Sequence, residues 1–203
     1  MQVKRTQGEL KRQRDALQQY ERYLPTLQLK KQQLQLEISH QQRARTEREN
    51  VLLEKQRSAA GWLGLLTEAP EIRQWLVVEK VNTGRKNIAG IEVPVFHSVD
   101  FVPAEYDLFL TPLWVDAGLE ALREMVSLQE EIRVIDRGIA LLDKELQVTS
   151  QRVNLFEKVK IPGAQEAIRL IRISLGDQMT NAIGRSKIAK KKIEEADLEE
   201  VLV

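Results

Sequence analysis

Cysteine is absent from this chain of 203 residues, and histidine occurs only twice, as His40 and His97. Disulfide scaffolds, thiol nucleophiles, iron–sulfur clusters and cysteine-based zinc sites are therefore excluded, and two histidines do not make a multi-histidine metal centre. No apolar run approaches the roughly 18 residues that a membrane-spanning helix needs. The charged N-terminal stretch does not have the form of a secretory signal. The sequence indicates a cytoplasmic protein without a membrane span.

An excess of charge of either sign is also missing. Lys and Arg total 31 and Asp and Glu total 30, whereas a protein that wraps nucleic acid normally has a large basic excess. The phosphate-binding, dinucleotide, zinc-protease and serine-hydrolase motifs are absent. His97 and Ser98 are adjacent on a predicted strand, so they should point to opposite faces and not form a catalytic pair. We therefore predict no catalytic residue, no cofactor, no metal, no direct nucleotide binding and no nucleic-acid partner.

Glycine is missing between Gly8 and Gly61, and Pro25 is the only proline there. Leu, Gln, Lys, Arg and Glu dominate this stretch, and all of them favour helix. We predict one long helix from Lys4 to Arg57, bent at Pro25 because proline removes a main-chain hydrogen bond. A helix of that length extends roughly 80 Å. It needs a second long helix to cover its apolar positions.

A second long helix is indicated by apolar residues that alternate between steps of three and four from Ile132 to Phe156. The mean step of 3.5 is typical of a coiled coil, although any amphipathic bundle helix gives a similar stripe. We predict a helix from Ala117 to Val159, a kink or break at 161–163, and a further helix to Glu195. The predicted coiled-coil seam consists of Leu27, Leu34, Ile38, Ile132, Ile135, Ile139, Leu142, Leu146, Val153 and Phe156.

The middle of the chain, from Gly61 to Gly118, contains most of the prolines and all three tryptophans. We predict strands at Trp75–Val81 and Ile88–Phe96, joined by a turn at Asn82–Asn87. Because Pro94 cannot donate to a ladder, its strand should be an edge. A lone hairpin is marginal in water, so it should pack on the helices or on a partner.

The predicted fold class is mainly α: a long antiparallel two-helix coiled coil, formed by the N- and C-terminal helices, with a small insert that contains a β-hairpin. The predicted domains are an N-terminal helix at 1–60, an insert at 61–116 with the hairpin at about 75–96, and a C-terminal helix at 117–203 that is kinked near 161–163. The helices should run antiparallel because the insert returns the chain at one end.

Two charge clusters leave alternatives open. In the first, where the apolar stripe thins, either the coil opens to admit another protein or the segment is simply solvated; its members are Arg43, Arg45, Glu47, Arg48, Glu49 and Glu54. The second is either an ordinary soluble helix end or a basic tip that contacts an acidic partner; its members are Arg185, Lys187, Lys190, Lys191 and Lys192.

The segment from Thr149 to Glu157, followed by Ile161 and Pro162, resembles the T-x-R-R-V-N-A-L-E…I-P segment of the D subunits of V-type (A/V-type) ATPases. The matching residues are Thr149, Arg152, Val153, Asn154, Glu157, Ile161 and Pro162, whereas Gln151, Leu155 and Phe156 depart from the pattern. Leu27–Leu34 is similar to the helix L-L-K-x-K-R-D-x-L of that family, and Asn87–Val95 looks like its hairpin.

The resemblance implies the rotor shaft of a central stalk, which couples ATP synthesis or hydrolysis to proton or sodium transport and is not itself catalytic. The implied partners are a hexamer of A and B subunits, an F subunit beside the coil, and a base subunit that links the shaft to the membrane ring. The implied location is cytoplasmic and peripheral to the membrane. We expect Arg185, Lys187 and Lys190 at the hexamer-facing tip, together with the first turns of the N-terminal helix. The insert, at 61–109, should lie at the opposite end.

Two other functions fit the pattern less closely. A prefoldin-like chaperone subunit also places a hairpin between two antiparallel helices, but it needs exposed apolar residues at the helix tips to hold its clients. The corresponding end of this chain is basic. A plain coiled-coil tether would not explain the three family-like segments in their order.

Overall fold

The computed structural model describes residues 4–67, 70–107 and 111–201, so short pieces of all three predicted domains lie outside the described residues. The chain is mainly helical with one antiparallel hairpin between long helices, which confirms the predicted fold class. The main elements are helix α1 (Gln7–Ala59), strands β1 (Val78–Ile88) and β2 (Ile91–Phe101), helix α2 (Val115–Leu155) and helix α3 (Ile161–Val201). Two 3₁₀ helices (Leu63–Thr67 and Pro70–Leu76) precede β1, and a π-helical turn (Phe156–Lys160) separates α2 from α3.

The start of α1 is set by a local capping contact. Thr6 Oγ1 accepts a hydrogen bond from the backbone N–H of Glu9 at 3.3 Å. A threonine followed three residues later by glutamate is the capping-box pattern, which satisfies a helical N–H that has no partner inside the helix. The helix continues through Pro25, as predicted, and the bend expected there stays a prediction.

The chain divides into two compact units. Unit 1 combines the chain up to Gln28 with the chain from Gln151 onward, and unit 2 is Leu29–Ser150. Each unit therefore contains a piece of α1 and a piece of the C-terminal helices. The three-segment division predicted from the sequence stays a prediction.

Within each unit the helices run antiparallel. In unit 2, Lys30 lies against Glu145 whereas Lys55 lies against Glu124, so residue numbers rise on α1 as they fall on α2. In unit 1, the rings of Tyr20 and Phe156 meet edge to face with centroids 5.3 Å apart. The α1 residues around Arg14 face α3 residues around Ile168.

The hairpin is displaced from its predicted position. The turn is formed by Ala89 and Gly90, which both have positive φ (51° and 85°), and Asn87 Oδ1 accepts a hydrogen bond from the Gly90 N–H at 3.0 Å. The prediction of a turn at 82–87 was wrong, because those polar residues form part of β1 instead. Pro94 pairs with Arg85, three pairs from the turn pair Ile88–Ile91. Such alternate pairs are not hydrogen-bonded in an antiparallel ladder, so proline costs no ladder bond there.

Two apolar clusters position the hairpin and the insert in unit 2. Near the tip of the hairpin, Val93 packs with Leu34, Ile38 and Leu142, so the expectation that the hairpin packs on the helices is confirmed. At the other end of the strands, the buried cluster is Ile72, Val115 and Leu119. Arg123 of α2 donates hydrogen bonds to the carbonyl oxygens of Trp75 and Val102. These two residues precede β1 and follow β2, so the bonds tie the open end of the hairpin to α2.

The irregularity in the C-terminal helices lies at Phe156–Lys160, one turn before the predicted position at 161–163. The N–H of Ile161 donates to the carbonyl of Phe156, five residues back. The apolar spacing explains this wider turn. Steps of three and four reach Phe156, and the next buried or half-buried positions are Ile161, Ala164, Ala167 and Ile168, so one step of five is inserted between Phe156 and Ile161. A π-helical turn takes up one extra residue. Pro162 then falls in the first turn of α3 and donates no main-chain hydrogen bond.

Candidate functional site

The predicted seam residues all lie at buried or half-buried positions. Leu34 and Leu142 are completely buried, and Val153 is 5% exposed. Leu34, Ile38 and Leu142 share one cluster in unit 2, while Phe156 contacts Tyr20 in unit 1. The remaining members are buried or half-buried in the same two helices: Leu27, Ile132, Ile135, Ile139 and Leu146.

A second buried face on α2 was not foreseen. Val134 is 1% exposed and lies one turn before Gly138, so the two residues share a side of the helix. A Cβ atom added to Gly138 would come within 2.9 Å of Val93 Cγ1 on β2. The hairpin therefore covers this side of α2, and the sequence offered no sign of it beyond a glycine in a helix.

We expect Gly138→Val to destabilise the protein by about 2 kcal/mol, because the branched side chain must push the hairpin away from α2. Denaturation in urea, followed by circular dichroism, measures this change. Gly176→Val is the matched control, since a Cβ atom at Gly176 meets nothing within 4 Å. Valine and glycine have similar helix propensities, so the control should change stability by only a few tenths of a kcal/mol. Equal effects at the two positions would contradict the close approach of the hairpin.

Ion pairs across the helix interface of unit 2 all have the same polarity. In each pair α1 supplies the base and α2 supplies the acid: Lys30–Glu145 at 2.7 Å, Arg45–Asp136 at 2.6 Å, Arg48–Glu131 at 2.9 Å, and Lys55–Glu124. The hydrogen bond and the charge of Asp136, with Glu49 beside it, raise the pKa of Arg45. Like charges would face each other if either helix paired with its own copy, so this arrangement favours the α1–α2 pair.

The first charge cluster contributes to that interface. Arg45 and Arg48 bind carboxylates of α2, and both remain partly exposed. At this level, ion pairs at the solvent-exposed edge of the interface therefore hold α1 and α2 together. Arg43, Glu47 and Glu54 are exposed.

The residues proposed for the tip lie on a bare part of α3. Arg185, Lys187 and Lys190 are exposed, as is every residue from 176 to 194, and Lys190 Nζ lies 3.6 Å from Glu194 Oε1. The last half-buried position of α3 before this stretch is Leu175. The last 26 residues of α3 would extend about 39 Å at 1.5 Å per residue. Apolar side chains on this stretch are exposed as well: Met179, Ile183, Ile188 and Ile193.

The family-like motif surrounds the π-helical turn. Thr149 is 1% exposed, Val153 is 5% exposed, and Ile161 is half-buried. The other four members are exposed: Arg152, Asn154, Glu157 and Pro162. The motif thus combines packing positions with the residues at which the apolar spacing changes.

Titratable side chains near the insert contact other residues of the same fold. A cavity of about 400 Å³ on unit 2 is lined by Phe101, Tyr106, Asp116 and Arg123, among others. Tyr106 donates its hydroxyl hydrogen to Asp116 Oδ1, which favours the neutral phenol and raises the pKa of Tyr106. His97 packs over Gly84.

Among residues 4–67, 70–107 and 111–201, no group of three or more His, Asp or Glu side chains is placed to hold a metal ion. The described helices include none that is long and apolar enough to cross a bilayer.

Comparison with known proteins places the whole chain in one family. The sequence model for the D subunit of ATP synthase matches residues 9–191. The V-type ATP synthase D subunit of Borreliella burgdorferi is 41% identical over 191 residues, which cover 94% of this chain and 95% of that protein. Proteins of the same name from Chlamydia pneumoniae and Chlamydia trachomatis serovar L2 are 33% and 34% identical, with 96% of this chain and 94% and 97% of those proteins covered. These matches confirm the resemblance seen in the motifs: the chain belongs to the family of ATP synthase D subunits.

Proposed function

We propose that this chain is the rotor shaft in the central stalk of a V/A-type rotary ATPase. It transmits torque between a catalytic hexamer and a membrane ring, and so couples ATP synthesis or hydrolysis to proton or sodium transport. The observation that carries the proposal is the exposed stretch 176–194 of α3, which follows the last half-buried position at Leu175 and contains the basic cluster Arg185–Lys192. Family membership supports the same conclusion.

The helix pair is suited to bear torque. Twisting one helix about the other would have to pull interlocked side chains such as Leu34 and Leu142 out of a fully buried seam. The ion pairs between α1 and α2 oppose sliding of the helices, because each base would leave its acid. The hairpin adds a third contact through Val93.

The asymmetry of the chain supports a rotary role. The two helices differ in sequence, and the hairpin covers only one side of α2. A shaft of this kind presents a different surface to each surrounding subunit at each angle of rotation. A partner that contacts the open state of a subunit differently from the closed state shifts the populations of the two states, and this is how any allosteric effector acts.

The proposed partners are those that the family resemblance implies. The end of α3, with Arg185, Lys187 and Lys190, would lie inside the hexamer of A and B subunits, and its exposed isoleucines would be covered there. The F subunit would bind beside the paired helices. A base subunit would contact the insert and join the shaft to the membrane ring. The chain itself would hold no nucleotide, and it would lie in the cytoplasm, peripheral to the membrane.

A prefoldin-like chaperone subunit is the second candidate function. The exposed Met179, Ile183, Ile188 and Ile193 are the observation that favours it, since apolar side chains at a free helix end hold unfolded clients. The same stretch also contains Arg185, Lys187 and Lys190 through Lys192. A cluster of five basic residues fits an acidic folded partner better than an apolar client.

Affinity purification of the tagged chain from its own cells, at low salt, tests the proposal. We expect the A, B and F subunits to copurify in fixed proportion, and ATPase activity to accompany them. Removal of residues 176–203 should abolish recovery of the A and B subunits while leaving the paired helices folded. Recovery of unfolded client proteins would favour the chaperone, and recovery of the chain alone would favour a tether.

A further inference from the structure

Main-chain hydrogen bonding is interrupted in both helices of unit 1. In α1, Pro25 has no N–H to donate to the carbonyl of Glu21. In the opposite helix, the π-helical turn shifts the bond of Ile161 to Phe156, and Pro162 donates none. Interruptions of this kind are the recognised causes of helix bends, and π-helical turns are frequent at functional positions.

The two interruptions adjoin one another. The edge-to-face contact of Tyr20 with Phe156 brings these residues side by side. The gap at Pro25 begins one residue after Tyr20, and the π-helical turn begins at Phe156 itself. At 1.5 Å per residue, each gap extends less than about 10 Å from that contact, and because the helices are antiparallel the two gaps extend in opposite directions from it.

Packing is also thin at this level. Residues 157–160 are all exposed, and so are residues 21–23. The apolar side chains of Leu155 and Val159 are 44% and 58% exposed. Leu34 and Leu142, by contrast, are completely buried. Between the buried positions Val153 and Ala164, the only covered positions of this helix are the half-buried Phe156 and Ile161.

We propose that Glu21–Thr26 of α1 and Phe156–Pro162 of the opposite helix together form a soft joint, at which the helix pair bends and twists more easily than elsewhere. The one-residue shift in the apolar spacing builds the joint into the sequence, and the family-like motif includes that shift. In a shaft that transmits torque, the joint absorbs twist when the two ends turn out of step. This consequence rests on the proposed function, whereas the joint itself does not.

Pairs of spin labels measure the joint directly, because the chain has no cysteine of its own. Labels at Asp15→Cys and Leu36→Cys span Pro25, and labels at Gln33→Cys and Glu54→Cys are separated by the same number of residues within unit 2. All four positions are exposed on α1. Along an α-helix, both pairs should be separated by about 32 Å. We expect the distance distribution of the pair that spans Pro25 to be at least about twofold wider than that of the control pair. Equal widths would overturn the proposal.

Repairing the interruptions should stiffen the joint. Deletion of Lys158 reduces the step from Phe156 to Ile161 to four residues, and Pro25→Ala restores the bond to Glu21. We expect the spanning pair to narrow to the width of the control pair in the combined variant. If that variant loses helicity, Pro25→Ala alone, which leaves the seam unshifted, should still narrow the distribution and slow amide hydrogen exchange at 22–29. No change in either measurement would overturn the proposal. Both experiments use the isolated full chain, so they can fail while the copurification test succeeds.

Discussion

We expect Leu142→Asp to unfold unit 2. Leu142 is completely buried between α1 and the hairpin, with Leu34, Ile38 and Val93 around it. Replacement removes a packed side chain, which alone costs about 2–5 kcal/mol, and places a carboxylate among apolar side chains. The sum is comparable with the whole stability of an ordinary domain. Circular dichroism in a urea titration should show loss of the cooperative transition.

Leu141→Asp is the matched control for this result. Leu141 is the neighbouring residue on the same helix, and its side chain is 44% exposed. The same chemical change there should cost about 1 kcal/mol or less, because the carboxylate stays in water. Ile139→Asp should lie between the two, since Ile139 is half-buried. Equal stabilities for Leu142→Asp and Leu141→Asp would remove Leu142 from the seam.

Charge reversal at the end of α3 should separate binding from folding. The triple variant Arg185→Glu, Lys187→Glu and Lys190→Glu changes only exposed side chains, so its helicity and its urea midpoint should match those of the wild type. We expect binding to the hexamer of A and B subunits to weaken by at least about tenfold, mainly through slower association, because complementary charge steers encounter. The salt dependence of binding should fall with it. Reconstitution with the hexamer, followed by measurement of binding and of ATP-driven pumping, checks both effects.

A matched reversal tests whether position matters, or only net charge. Lys80, Lys86 and Lys144 are also exposed, and they lie in unit 2. Reversal of these three lysines changes the net charge by the same amount and should leave hexamer binding within about twofold of the wild type, because steering depends on where the charge lies. A loss as large as that of the α3 variant would show that net charge governs the effect, and the assignment of Arg185, Lys187 and Lys190 to the tip would fail.

Apolar spacing was sufficient to predict the helices and the residues between them. The steps of three and four from Ile132 to Phe156 arise from the helical period, which depends only on the local chain, so they are readable without knowing the partner. The same spacing contains the insertion of one residue between Phe156 and Ile161. The prediction of a break at 161–163 relied on Pro162. The step of five residues from Phe156 to Ile161 was the better signal for the π-helical turn.

The turn of the hairpin shows where local patterns fail. Asn82–Asn87 contains the residues that favour turns, yet Ala89 occupies one of the two turn positions with positive φ. The register that places Val93 against Leu34, Ile38 and Leu142 requires the chain to reverse at Ala89–Gly90. Burial of the apolar face of β2 outweighs the cost of the strained alanine, because a shift of one residue would turn that face to water.

The sequence by itself therefore determined the helical class, the apolar seam positions and the family, since each is encoded in short-range spacing or in contiguous motifs. Only the tertiary structure decided which bases on α1 meet which acids on α2, why Gly138 has no side chain, and where the hairpin turns. Those features depend on residues far apart in the chain that come into contact only after folding, so no local pattern contains them.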